Sequence, residues 1–338
     1  MKAPTLAALA LLLVAGRGVE ERVVERRFTS ELELSTEHFE LTGTEAGHSE
    51  TQEPPHQVRE QAYEIVLTDT LFDDQDPPAK FTRLYGTVVS SFELGDERSP
   101  RSKTESAGLE GKTVTFELER DGSYSRTCDD TDVRPGQLKR LRAELSLACF
   151  LPKHEESEGE EDDGNENGGP PRSWELENAD LARLFSPLET EPRRPRAKLK
   201  TPKGALNLAP AGLSVPMGAL LHAPEGTMTA TLRASSEDDE LPFNATLEFR
   251  LTSTFDGSAG LAEDDALSED ELELVYAGTG ALAWNPADGR IEITCKGELR
   301  LTENLRAEVE GNGKTAEIEG RLVLTGTLEC SGRELNAD

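Results

Sequence analysis

Aromatic residues make up only 5% of this 338-residue chain, and its two tryptophans are Trp174 and Trp284. Histidine is also scarce. His38, His48, His56, His154 and His222 show neither the i, i+4 spacing nor the His-Glu-x-x-His order of a metalloprotease. There is no Gly-x-Ser-x-Gly elbow and no glycine-rich phosphate loop, and Ser258 of "FDGSAG" lies in a polar connection. Carboxylate pairs are everywhere in so acidic a chain, so none marks a glycosidase site. No residue presents itself as catalytic. The four cysteines include no Cys-x-x-Cys pair, which removes the usual zinc and thioredoxin-type motifs. Positive charge is short as well. With 36 Lys and Arg against 66 Asp and Glu, the formal charge is −30, and such a surface repels nucleic acid and anionic lipid heads.

Long hydrophobic runs are missing too. The longest opens the chain, from Leu6 to Ala15, and its ten residues are half of the roughly 20 a spanning helix needs. One basic residue, Lys2, precedes it and small residues follow, the layout of a secretory signal peptide over 1–16. No cysteine follows the run, so a lipoprotein anchor is disfavoured. The expected mature protein is secreted or periplasmic, soluble and without a transmembrane segment. An oxidising compartment turns an even cysteine count into disulfides.

What is present is period-two alternation. From Ile291 to Val309 the odd positions are largely apolar and the even ones polar. Asn312-Gly313 follows, a favoured two-residue hairpin turn because both positions tolerate positive φ. Beyond the turn the apolar phase returns at Ala316, Ile318, Leu322, Leu324 and Leu328. A loop at Asn312-Gly313 sets Val309 against Ala316, Leu301 against Leu324, and Cys295 against Cys330. Opposed residues in antiparallel strands stand about 4.5–5.5 Å apart, within disulfide reach. Cys295 is therefore expected to bond Cys330, and by elimination Cys128 to bond Cys149. "LELVYAGTGALAW" (272–284), "FNATLEFRLTSTF" (243–255) and "TMTATLRA" (227–234) extend the same meander.

The N-terminal half carries strand patterns at 27–34, 62–72 and 81–94, and a hairpin on Asp121-Gly122. In "DVRPGQLKRLRAELSLACF" the spacing of Leu138, Leu141 and Leu145 predicts a helix, with Asp132 as a cap near Pro135. A second helix is expected over "ENADLARLF", capped by Asn178 and apolar at Leu181, Leu184 and Phe185. The expected fold is mainly β: two antiparallel sheet units, meander or half-barrel, with two short helices between them. The first unit covers 19–152, an acidic linker 153–172, and the second unit 173–338.

The leucine-rich helix, "FLP" (Phe150 to Pro152) and "SWELENADLARLFSP" resemble a loose class of exported bacterial proteins whose domains have no assigned function. The likeness spans about 110–200 and the C-terminal strands. It implies fold and compartment and carries over no catalytic residue. In that class the Leu-Pro to Trp loop is short; here the acidic stretch lengthens it, which suggests an insertion.

That stretch, His154 to Arg172, contains "DGNENG", the start of an EF-hand pattern at Asp163, Asn165, Asn167 and Gly168. The twelfth position is Trp174 instead of a bidentate Glu, and Pro170 interrupts the loop. It reads as a solvated tether, with at most a weak calcium site and no other cofactor. "CDDTD" (Cys128 to Asp132) and "SSEDDELP" (Ser235 to Pro242) read as solvated loops. The basic "RRPRAKLKTPK" (Arg193 to Lys203) reads as a proline-bearing loop that answers the chain's own acidic patches. The "NAT" at Asn244 is a glycosylation acceptor only in a eukaryotic host. The functional expectation is an exported, non-catalytic structural or binding protein with an envelope or extracellular partner. The alternative is a carrier holding a lipid or other apolar ligand in a curved sheet; an enzyme with an unrecognised site comes third.

Overall fold

The computed structural model describes residues 21–45, 48–52, 58–73, 75, 77–95, 101–106, 108–153, 172–189, 198–200, 207–209, 221, 224–234, 240–256, 267–311 and 314–337. Its N-terminal strands are β1 (Arg22–Glu45), β2 (His48–Gln52), β3 (Val58–Leu71), β4 (Lys80–Gly95), β5 (Arg101–Ser106), β6 (Lys112–Leu118) and β7 (Tyr124–Thr127). After two short helices and β8 (Ser173–Glu175) come the small β9 (Lys198–Lys200) and β10 (Asn207–Ala209), which pair only with each other. The chain closes with β11 (Glu225–Arg233), β12 (Phe243–Asp256), β13 (Leu267–Asn285), β14 (Arg290–Gly311) and β15 (Lys314–Ala337).

Thirteen strands form one antiparallel sheet, eleven of them in the row β7-β6-β4-β3-β1-β15-β14-β13-β12-β11-β8. The two expected sheet units are thus one continuous sheet. The join is β1 against β15, from Val23 opposite Ala337 to Glu45 opposite Ala316, with a bulge between Thr36 and His38. The meander strands fall where the alternation puts them. The long hairpin has the expected register: Val309 opposite Ala316, Leu301 opposite Leu324, Cys295 opposite Cys330.

One face of the sheet carries Val24, Phe28, Leu32, Leu67, Tyr276, Leu301 and Leu324, all buried, and the other carries exposed Glu31, Lys296 and Arg300. A strap formed by residues 141–151 and 174–188 covers the apolar face. It runs from β7, where Arg126 Nε donates to Leu141 O at 2.8 Å, to β11, where Leu176 N donates to Met228 O at 2.9 Å. The strap segments thus reach both ends of the row. Leu141, Leu145, Leu147, Phe150, Leu181, Leu184 and Phe185 pack as one core with the strands. Phe185 meets Tyr276 edge to face, with centroids 5.9 Å apart. At the centre Gly332 makes the room: a Cβ there would lie 2.8 Å from Leu184 and 3.1 Å from Leu147.

The first expected helix shrinks to α1, Pro135–Leu138, entered through Arg134 and not capped by Asp132. Beyond it Leu141 and Leu145 are buried in irregular chain, and a 3-10 turn covers Leu147–Phe150. A buried irregular backbone is tolerated only when its polar groups find partners. Here side chains of the sheet supply them. Arg83 donates to Arg142 O at 2.6 Å and Ala143 O at 2.9 Å, and Tyr63 donates to Leu184 O. The second helix, α2 (Asn178–Phe185), forms where expected and buries Leu181, Leu184 and Phe185.

Candidate functional site

At the end of the sheet where β1 begins and β15 finishes, the strap leaves an open cleft of about 980 Å³. Its floor rests on two neighbouring rungs of side chains, because Asp69 stands opposite Val24 and Arg26 opposite Leu67, with Arg83 behind the lining residue Asp69. Arg83 on β4 stands directly opposite Asp69 on β3, and Arg26 on β1 directly opposite Glu334 on β15. The rung of Arg26 and Glu334 goes on through Ile291 of β14, Trp284 of β13 and Phe243 of β12, each opposite the last. One half of the floor is ionic and the other half is apolar.

The ionic half is buried and internally matched. Arg83 grips Asp69 with two bonds, Nε to Oδ1 at 2.6 Å and Nη2 to Oδ2 at 2.8 Å. Arg26 donates Nη1 to the same Asp69 and Nε to Glu334 Oε2 at 2.9 Å. Glu334 also accepts from Leu147 N at 2.7 Å, tying the strap to the floor. Arg83 lies over the rings of Phe81 and Phe116, at 5.3 and 5.1 Å from their centroids. Two guanidiniums thus face two carboxylates, and the set is neutral. Burial by itself would raise the Asp69 pKa; the charges and hydrogen bonds of Arg83 and Arg26 outweigh it and hold the carboxyl below its ordinary range.

The apolar half is built on Trp284. Phe243 stacks on it at 5.2 Å and 17°, and Trp174 meets it edge-on at 6.0 Å. Trp174 in turn donates Nε1 to Phe150 O at 3.1 Å, so strap and aromatic wall are fixed together. Arg22, Arg183 and Arg290 line the mouth, each already engaged: Arg22 with Asn336, Arg183 with Ser146 O, Arg290 with Glu292.

This site was not among the residues singled out from sequence. Its signal is in the alternation, since Arg26, Asp69, Arg83 and Glu334 occupy inward positions in phase with Phe28, Leu67, Tyr85 and Cys330. Each is a charge where an apolar residue is due. The residues that were singled out are not brought together here. Asp163, Asn165 and Asn167 lie outside the described residues, as do Ser258 and most of 193–203. Among the described residues no cluster of His, Cys, Asp or Glu is suited to a metal ion. His38 is half-exposed beside Glu40. Asn244 is buried and donates to Leu241 O at 2.9 Å.

Neither expected disulfide is formed in this structure. All four are free thiols. Cys295 and Cys330 are buried and share a hydrogen bond, as their register requires. Cys128 and Cys149 keep different company: Cys128 lies near Lys112, while Cys149 lines the cleft, donates to Ser146 O at 3.3 Å and lies near Arg183 and Asp180. Elimination pairs cysteines only when all of them are paired, and nothing in this fold demands that. Burial pushes the Cys149 thiol up to about 12, which disfavours its thiolate form.

Neither a protein-family model nor a curated protein matches this chain. Among solved structures, the InvG secretin domain β-barrel from the Salmonella SPI-1 injectisome NC-base is aligned over 94% of this chain at 7% identity. Its TM-score is 0.16, and the chain spans 64% of that protein's length. A likeness this low carries no argument.

Proposed function

We propose that this is an exported, non-catalytic protein that binds its ligand or partner reversibly through the cleft at the strap end of the sheet. The observation that carries the reading is the split floor, with a charge-matched ionic half beside an aromatic wall, open to solvent. Such a floor combines apolar walls with a few placed polar groups, as binding pockets do. The volume suits a small molecule or a short peptide segment.

The rival reading is a lipid carrier. The apolar face of the sheet favours it, but the space that would take acyl chains holds Leu147, Leu181, Leu184 and Phe185 of the strap. Native mass spectrometry of the protein purified from the exported fraction, followed by organic extraction, separates the two. The reversible-binding reading predicts a bare protein mass. A reproducible co-purifying lipid would contradict it and favour the carrier.

A further inference from the structure

Arg26 is 6% exposed, lines the cleft, and makes its hydrogen bonds through Nε and Nη1 alone. Among the described residues nothing accepts from Nη2. A guanidinium has five N–H donors in a fixed fork, so this buried arginine keeps a donor edge to offer. Asp69 and Glu334 hold the group from two sides, which leaves it no freedom to turn away.

Resting on the cleft as the binding site, we infer that it takes an uncharged ligand with an aromatic or apolar body and a carbonyl or hydroxyl oxygen, which accepts a hydrogen bond from Arg26 Nη2. Charge decides the class. The floor balances two arginines with two carboxylates; at the mouth Arg183 and Arg290 are paired with Glu144 and Glu292 and Arg22 is held by Asn336, so a bound anion would add a carboxylate where the guanidiniums are already engaged. It would also approach a chain of net charge −30. A cation would face the guanidinium itself. A neutral oxygen satisfies the spare donor and leaves the balance intact. The body of the ligand then lies against Trp284 and Phe243, the continuation of the same rung.

The test uses three probes of one size and three charges: benzamide, benzoate and benzylamine. Each is titrated into the 15N-labelled full chain while the indole N–H signals of Trp174 and Trp284 and the arginine Nε–H signals are followed. Benzamide is expected to shift the Trp284 and Arg26 signals and saturate at about 1–10 mM, the range for so small a ligand. Benzoate and benzylamine are expected to bind at least tenfold more weakly. Arg26→Lys keeps the charge and removes the spare edge, and it should erase benzamide's advantage. Phe243→Ala, outside the ionic half, should weaken all three probes alike. Equal binding of the three, or tighter benzoate, overturns the ligand class while leaving the cleft as the binding site. Failure of every probe to move Trp284 overturns both.

Discussion

Asp69 is the residue on which the floor turns. It is buried and accepts from both arginines, so removing its charge leaves two guanidiniums facing one carboxylate. Breaking a buried ion pair on one side costs about 3–5 kcal/mol, and Asp69→Asn should lower the unfolding free energy by that order at pH 7. The pH dependence follows from the depressed pKa. A carboxyl held below its ordinary value contributes stability that is full above the unfolded pKa and lost as pH falls through the folded one. The window therefore lies below the reference value of 3.8. Urea denaturation from pH 7 downward should show an acid limb in the wild type that is shallower in Asp69→Asn; parallel limbs would remove Asp69 from that role. At this scale the sequence was legible in its apolar positions. The inward charges are not legible there, because alternation separates polar from apolar and a buried charge only breaks the pattern.

The β14–β15 hairpin is the element most fully readable in advance. Its turn and two apolar faces set the register locally, and the structure keeps every pair with no bulge between the strands. The helix expected within 132–150 is the opposite case. Its leucine spacing is helical, but the segment is bound by Arg83, reaching from β4 some 60 residues away in sequence, for which no local signal exists. The hairpin also makes a chemical prediction. Hydrogen bonding to Cys295 and burial hold the Cys330 thiol well above its ordinary range, so the folded dithiol is poorly reactive. The bond is expected to form while the sheet assembles, through thiolate exchange with a disulfide oxidant such as oxidised glutathione. Two thiols give up two protons and two electrons, and one glutathione disulfide becomes two glutathiones. Refolding with oxidised glutathione should leave two alkylatable thiols, Cys128 and Cys149, in the denatured chain. The reduced, already folded protein should resist the same reagent. Four alkylatable thiols after oxidative refolding would contradict the assignment; none would restore the second bond.

At the scale of the whole molecule, the first described strand and the last lie side by side. Sequence indicated strands in both halves but gave no sign that β1 and β15 would pair, because a pairing over some 300 residues leaves no trace in local periodicity. That pairing places Arg26 opposite Glu334 and so creates the floor of the cleft. Hydrogen exchange followed by mass spectrometry on the intact chain tests it most directly. One sheet predicts that peptides from 24–34 and 326–336 are protected together and lose protection together as urea is raised. Loss of protection in β1 while β15 stays protected would mean two independent units. It would also leave the charged rung, and the cleft built on it, without a foundation.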